Sequence, residues 1–332
     1  MGDNTQSPAK RSAALARIHR SGGVLSCAYP RRMLSDAETA ERVTRIELAF
    51  SAWEADVLPL NYTRVEARSY PRRLGYSAAV ADHGITWGVL PVETFTRVLV
   101  FSPHFDDAAM GAGHLLLANP GSTVVTVFGG PPARYPDPPS DWDALGGFRA
   151  GDDVVALRRE EDAAGLAVLG ARPHWLEFVD HQYLAPETRA TPEEIAPELS
   201  TVIDQVQPTA VFIPMGLANP DHVATHDAAL LVAEPRADLA WFAYEDAGYQ
   251  HIPGMLAWRV SKLFRSEFWP TPMIVPMVQD HARKRAAIEC YRSQLGPLNR
   301  DHALEARIDG SVPEQFWMLA LPPPGWERMR DA

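Results

Sequence analysis

The chain has 332 residues, 46% of them hydrophobic and 22% charged, and carries a formal net charge of −11. Those proportions suit a globular protein of one large or two small domains, and the acidic balance excludes a general nucleic-acid binder, which needs a basic face for phosphate. There is no run of 18 or more apolar residues to span a membrane, and Cys27 and Cys290 alone cannot build a disulfide framework or a thiolate zinc site.

Residues 1–33 are polar and basic, broken by Gly22-Gly23 and Tyr29-Pro30, and read as a tail or loosely docked arm. Lys10, Arg11, Arg17 and Arg20 are not followed by the apolar stretch of a secretory leader, so the expected location is the cytoplasm. Ser35 and Glu38 make a capping box that opens a helical pattern running to Leu58-Pro59. From there to Pro91 the chain is rich in Pro, Gly, Tyr and Arg and predicts short strands and loops. Residues 1–95 are thus expected to form an N-terminal extension, and residues 96–332 the main domain.

In the main domain, Val98-Leu99-Val100-Phe101 is a continuous apolar run, as expected of a strand buried on both faces. A helical stretch follows over 108–117, then a second apolar run, Val124 to Phe128, ending in Gly129-Gly130. Val154 to Leu169 reads as a long helix closed by Gly170. Further strands are predicted at Trp175–Val179, Ala210–Pro214 and Leu239–Tyr244, with helices over 192–206 and 222–233. Apolar strands alternating with amphipathic helices predict an α/β fold, a Rossmann-like, doubly wound, mostly parallel sheet with helices on both faces. In such sheets a site forms beyond the carboxyl ends of the strands.

Two of those ends carry chemistry. After the first strand comes Ser102-Pro103-His104-Phe105-Asp106-Asp107; after the strand at 210–214 comes Asn219-Pro220-Asp221-His222. An imidazole and a carboxylate three apart on a tight turn can converge on one point, and a second His from another strand completes a two-His, one-carboxylate set. Zn²⁺ accepts that mixture and keeps a position open for water, as in catalytic sites. His104, Asp107 and His222 are the candidate ligands. Asp106, projecting to the other side of the turn, is placed to act as general base on the activated water. Each cluster also has a plainer reading: acidic residues favour a helix N-terminus, and Asn-Pro-Asp is an ordinary turn.

These residues carry a resemblance. Pro103-His104-Phe105-Asp106-Asp107 resembles the first signature of the PIG-L (LmbE-like) zinc-dependent deacetylases, and Pro220-Asp221-His222 resembles their second. Arg158-Arg159-Glu160-Glu161, the strand ending at Asp180, Tyr244-Glu245-Asp246, Lys284 with Tyr291-Arg292-Ser293-Gln294, and Phe316-Trp317 agree in order and spacing. The resemblance covers residues 96–320 and implies hydrolysis of an N-acyl group, usually acetyl on an amino sugar. It implies zinc held by His104, Asp107 and His222, with Asp106 as base, and aligns Arg158 and Asp180 with positions that contact the sugar. Their plainer readings are an ion pair of Arg158 with Glu161 or Asp162, and a turn role for Asp180. Asn219 stands where many relatives have a His that stabilises the oxyanion or protonates the leaving amine. An amide NH₂ can donate a hydrogen bond there, but it cannot give up a proton.

Of the other histidines, His181 follows a strand end near the pocket, His226 reads as packing on the helix surface, and His114 reads as a packing residue inside its helix. His302 reads as a surface or loop residue. The expected function is a zinc-dependent amidohydrolase acting on a small N-acylated molecule. A competing reading, raised by Asn219, is a protein of the same fold that binds its ligand or runs a different reaction at the metal site. A third, Fe(II) held by two His and a carboxylate, fits the His-x-x-Asp spacing and the α/β pattern poorly. Oligomeric state and the role of residues 1–95 are not legible from the sequence.

Overall fold

The computed structural model describes residues 90–236, 238–304 and 313–321; the predicted tail, capping-box helix and loops over residues 1–89 lie outside them. The apolar runs become the centre of a seven-stranded sheet. β1 (Val98–Ser102), β2 (Thr123–Thr126), β3 (Arg172–Trp175), β4 (Ala210–Pro214) and β5 (Ala240–Tyr244) pair in parallel. β6 (Trp269–Met273) and β7 (Phe316–Ala320) close one side, with β7 antiparallel to both β5 and β6. The spatial order is β3-β2-β1-β4-β5-β7-β6. In the register, Leu99 lies opposite Thr123 on one side and Val211 on the other.

The helices are α1 (Asp107–Ala118), α2 (Asp141–Leu145), α3 (Val154–Leu169), α4 (Pro192–Val206), α5 (Pro220–Ala233), α6 (Met255–Arg265), α7 (His281–Ile288) and α8 (Arg292–His302). They cover both faces of the sheet. Val98 and Val100 face Ala109 and Leu116 of α1, Leu166 of α3 and Ala287 of α7 in one buried layer. Leu99 and Phe101 face Leu199 of α4, Ala229 of α5 and Leu263 of α6 in the other. Alternation of side chains along a strand feeds both layers, which is why β1 and β4 are apolar at nearly every position. Among the described residues, no helix is long and apolar enough to cross a membrane.

The parallel core agrees with the sequence reading: α4 spans the predicted 192–206, and α3 ends at Gly170, whose φ of +78° suits the left-handed cap. Two differences have physical causes. The third strand lies at Arg172–Trp175 rather than Trp175–Val179. Beyond Trp175 only single bridges, Phe128 to Glu177 and Gly130 to Val179, join the chains. A Cβ on Gly130 would sit 2.2 Å from the Glu177 carbonyl, so the two segments cross closely there instead of continuing a ladder. Pro173 is tolerated because β3 is an edge. The same rule admits Pro270 and Pro272 in β6, the other edge, a strand the periodicity did not predict.

α1 is broken inside. Ala112 has φ −139° and ψ 20°, outside the helical region. The backbone groups freed by the break find buried partners: Lys284 Nζ donates to the Met110 carbonyl at 2.7 Å, and the His114 N–H donates to Glu314 at 2.8 Å. Lys284 and Glu314 are themselves paired at 2.6 Å. Both stretches of α1 are thereby tied to Lys284 of α7 and to Glu314, which precedes β7.

Candidate metal centre

The strand order departs in opposite directions from β1 and β4, leaving a crevice between their carboxyl ends. A cavity of about 320 Å³ opens there, and His104, Asp106, Asp107, Asn219 and His222 all line it. The turn after β1 is fixed locally. The Ser102 hydroxyl donates to the His104 carbonyl at 2.6 Å and accepts the Ala108 N–H at 3.0 Å, while the His104 N–H donates to Asp107 Oδ2 at 2.9 Å. The turn after β4 requires Gly216, at φ +76°. A Cβ there would lie 2.7 Å from the Cβ of His226 and 2.9 Å from Arg259 Nη2. The buried Arg259 guanidinium donates to the Gly216 carbonyl and to Asp227 Oδ1 at 3.1 Å. Asn219 then caps α5, its Oδ1 accepting the Asp221 N–H at 2.8 Å.

These two turns bring three side chains to one point. Asp107 Oδ2 is 3.3 Å from His104 Nδ1 and 3.2 Å from His222 Nε2, and ligand atoms of all three lie within 4.8 Å of one another. The outer nitrogen of each ring is held by a different carboxylate. His104 Nε2 is 3.0 Å from Asp221 Oδ2, and His222 Nδ1 is 2.6 Å from Asp246 Oδ1. An imidazole whose outer N–H donates to a carboxylate turns the lone pair of its inner nitrogen toward the shared point, the arrangement typical of metal-bound histidine. The donor set of two nitrogens and one carboxylate oxygen, with both rings oriented this way, fits zinc.

Electrostatics follow from burial among carboxylates. Asp106 is buried, and desolvation together with the neighbouring Asp107 pushes its carboxyl up to about 7. Burial alone would lower His222, but Asp107 and Asp246 outweigh it and carry the ring to about 9. Against the same opposing effect of burial, His222 and His104 hold Asp107 far below the ordinary carboxylate range.

The other predicted residues are also at the cavity. Asp180 lines it, accepting the Gln182 N–H at 2.9 Å as a turn residue while its Oδ2 lies 3.9 Å from His104 Nε2. Arg158 lines it too, but its ion pair is not with Glu161 or Asp162. Its Nη2 donates to Asp143 of α2 at 2.8 Å, and Tyr183 holds the other oxygen of that carboxylate at 2.9 Å. Glu161 instead accepts from Ser293, and Asp162 from Trp175 and Tyr291. His181 reaches the cavity, where hydrogen bonds with Asp180 and Asp221 raise it to about 9. His226 is no surface residue: it is fully buried, Nδ1 2.7 Å from the Pro214 carbonyl, and burial takes it down to about 3. His302, read from sequence as a surface residue, lines the cavity beside the ring of Tyr249. Asp246 and Asp143 have roles that sequence reasoning did not assign. Position just past the carboxyl end of β5 was the available pointer to Asp246.

Residues 99–233 match the family model described as PIG-L, GlcNAc-PI de-N-acetylase. Among solved structures, the fold is similar to a deacetylase triple mutant, Orf2*T, of the teicoplanin biosynthetic pathway, at 26% identity and TM-score 0.55, covering 69% of this chain and 100% of that one. The zinc-inhibited form of teicoplanin deacetylase Orf2 matches at 25% identity and TM-score 0.55, with the same coverage. The A40926 pseudoaglycone deacetylase Dbv21 matches at 26% identity and TM-score 0.54, covering 68% of this chain and 98% of that one. No curated protein matches the chain.

Proposed function

From the premise that residues 99–233 are a PIG-L (LmbE-like) family domain, we propose that this chain is a zinc-dependent hydrolase that removes an N-acyl group, acetyl in the first instance, from an amino sugar or a metabolite carrying one. The observation that carries this reading is the convergence of His104, Asp107 and His222 within 4.8 Å in the lining of a cavity that Asp106 also lines. Those three side chains would hold the ion. Bound zinc supplies Lewis acidity, which polarises a carbonyl and lowers the pKa of water from 15.7 toward about 7.

The chain's own residues do the rest. The Asp106 carboxylate accepts the proton of the attacking water and delivers it to the departing amine, so that the products are a free amine and a carboxylate. Asn219 keeps its Oδ1 on the helix cap and so can turn its NH₂ toward a developing oxyanion, as a hydrogen-bond donor rather than an acid. With Asn219 unable to give a proton, Asp106 serves both halves of the transfer. Arg158, locked by Asp143, and Asp180 both line the cavity and would orient sugar hydroxyls.

The test is amine release from N-acetylglucosamine-containing conjugates by zinc-loaded protein, with Asp106→Asn alongside. Loss of the base is expected to lower kcat by about 10²–10⁴-fold; full turnover in that variant refutes the assignment. Asn219→His addresses the competing reading. A large gain in deacetylation on restoring the His would mean that the native site serves another reaction or binds without turnover.

A further inference from the structure

The turn after β5 meets His222 twice. Asp246 opens it and holds His222 Nδ1 at 2.6 Å; three residues on, Tyr249 comes back against the same imidazole. The Tyr249 N–H donates to the Asp246 carbonyl at 2.9 Å, which closes the turn. The phenol and the His222 ring then meet edge to face, 5.2 Å between centres and 86° between planes. His302 of α8 packs on the phenol in the same manner, at 4.9 Å and 83°. Two perpendicular ring contacts hold the plane of Tyr249, and its side chain lines the cavity beside His222 and Asn219.

Packing explains the ring and not the hydroxyl, since a Phe would make both edge contacts. The hydroxyl has a partner of its own: the Asn219 side chain hydrogen-bonds the phenol. Asn219 Oδ1 is engaged by the Asp221 N–H at 2.8 Å, so the group that reaches Tyr249 is the NH₂, and the phenol oxygen is the acceptor. One hydrogen of that NH₂ therefore serves Tyr249. A phenol keeps its own hydrogen at neutral pH, its ordinary pKa being about 10, and an O–H whose oxygen accepts a hydrogen bond is the stronger donor for it.

We infer that Tyr249 is a catalytic residue of the deacetylation, its O–H donating a hydrogen bond to the oxyanion that forms at the acyl carbon while the Asn219 NH₂ supports it. The inference rests on the deacetylase reading. As the oxygen of water bonds to the acyl carbon, its proton passes to Asp106 and the carbonyl π pair becomes a lone pair on oxygen. The Tyr249 hydrogen bond meets that charge with no transfer of its proton. When the carbonyl re-forms, the C–N bond breaks, nitrogen takes the proton from Asp106, and the phenol ends as it began. Tyr249 thereby gives the site a donor with a fixed plane, where Asn219 alone offers an amide shared with a helix cap.

Tyr249→Phe tests this, because it keeps the ring and deletes only the donor. In zinc-loaded protein acting on an N-acetylglucosamine conjugate, kcat is expected to fall by about 10²–10³-fold, with KM within twofold and zinc still bound. A second readout is equilibrium binding of the methylphosphonamidate of glucosamine, in which tetrahedral phosphorus replaces the acyl carbon. The variant is expected to bind it at least tenfold more weakly and to bind glucosamine itself as the wild type does. Unchanged kcat with unchanged affinity for the phosphonamidate overturns the proposal. So does a variant that loses its zinc together with its activity, since Tyr249 would then only pack against His222. A wild type that releases no amine, with the phosphonamidate still weakened tenfold in Tyr249→Phe, would instead count against the deacetylase reading and support the hydrogen bond.

Discussion

Asp246 stands just past the end of β5, where its two oxygens do different work: Oδ1 holds His222 Nδ1 at 2.6 Å and Oδ2 accepts the Leu217 N–H at 3.0 Å. One carboxylate therefore sets both the ring and the loop that delivers it. Carboxylates in this outer position are worth about 10–100-fold in metal affinity. Asp246→Asn, which keeps the shape and loses the charge, is expected to weaken zinc binding by that factor in a competition titration with a chromophoric chelator. Unchanged affinity would mean that packing alone orients His222. The candidate ligands were legible in the sequence because each lies directly after an apolar strand in a segment that pairs His with Asp. Asp246 shares that position after β5, but its partner, like that of Asp143, depends on which strand or helix lies alongside, a fact of topology. His302 failed for the same reason: α8 returns it to the cavity from far along the chain.

At the scale of elements, the break in α1 is where local pattern and tertiary structure part. The run from Asp107 to Ala118 has the apolar composition of one helix, and the glycines on either side of Ala112, Gly111 and Gly113, are its local mark of weakness. What holds the break open is remote in sequence, the Lys284–Glu314 pair, which satisfies the carbonyl of Met110 and the N–H of His114. Both members are buried, so removing one leaves the other's charge without a partner. Lys284→Met is expected to destabilise the protein by about 3–5 kcal/mol in chemical denaturation. The double variant with Glu314→Gln should recover part of that loss, because the two positions share one interaction. Additive effects would show that the pair does not act as a unit. β1, β2, β4 and β5 and the helices α3, α4 and α5 were readable because their pattern agrees with their surroundings. β3 and β6 were not: their prolines are acceptable only at an edge, and edge position is a property of the assembled sheet.

Across the whole molecule, the candidate centre joins two halves of the sheet. His104 and Asp107 follow β1, on the side that continues through β2 and β3, whereas His222 follows β4, on the side that continues through β5. An ion held by all three is bound by the folded chain and not by the separated segments of the unfolded one. Binding of that kind stabilises by RT ln(1 + [L]/Kd), about 4 kcal/mol at a thousandfold excess over Kd. For a chain of 332 residues that corresponds to a rise in Tm of about 6 °C between chelator-treated and zinc-loaded protein. The shift should grow with the logarithm of free zinc, and Asp107→Asn, which removes the oxygen between the two imidazoles, should abolish most of it. Differential scanning fluorimetry across a zinc series measures both. A midpoint that stays fixed under saturating zinc would mean that the folded chain holds no ion in preference to the unfolded one, and the joining of β1 to β4 through a metal would have to be abandoned.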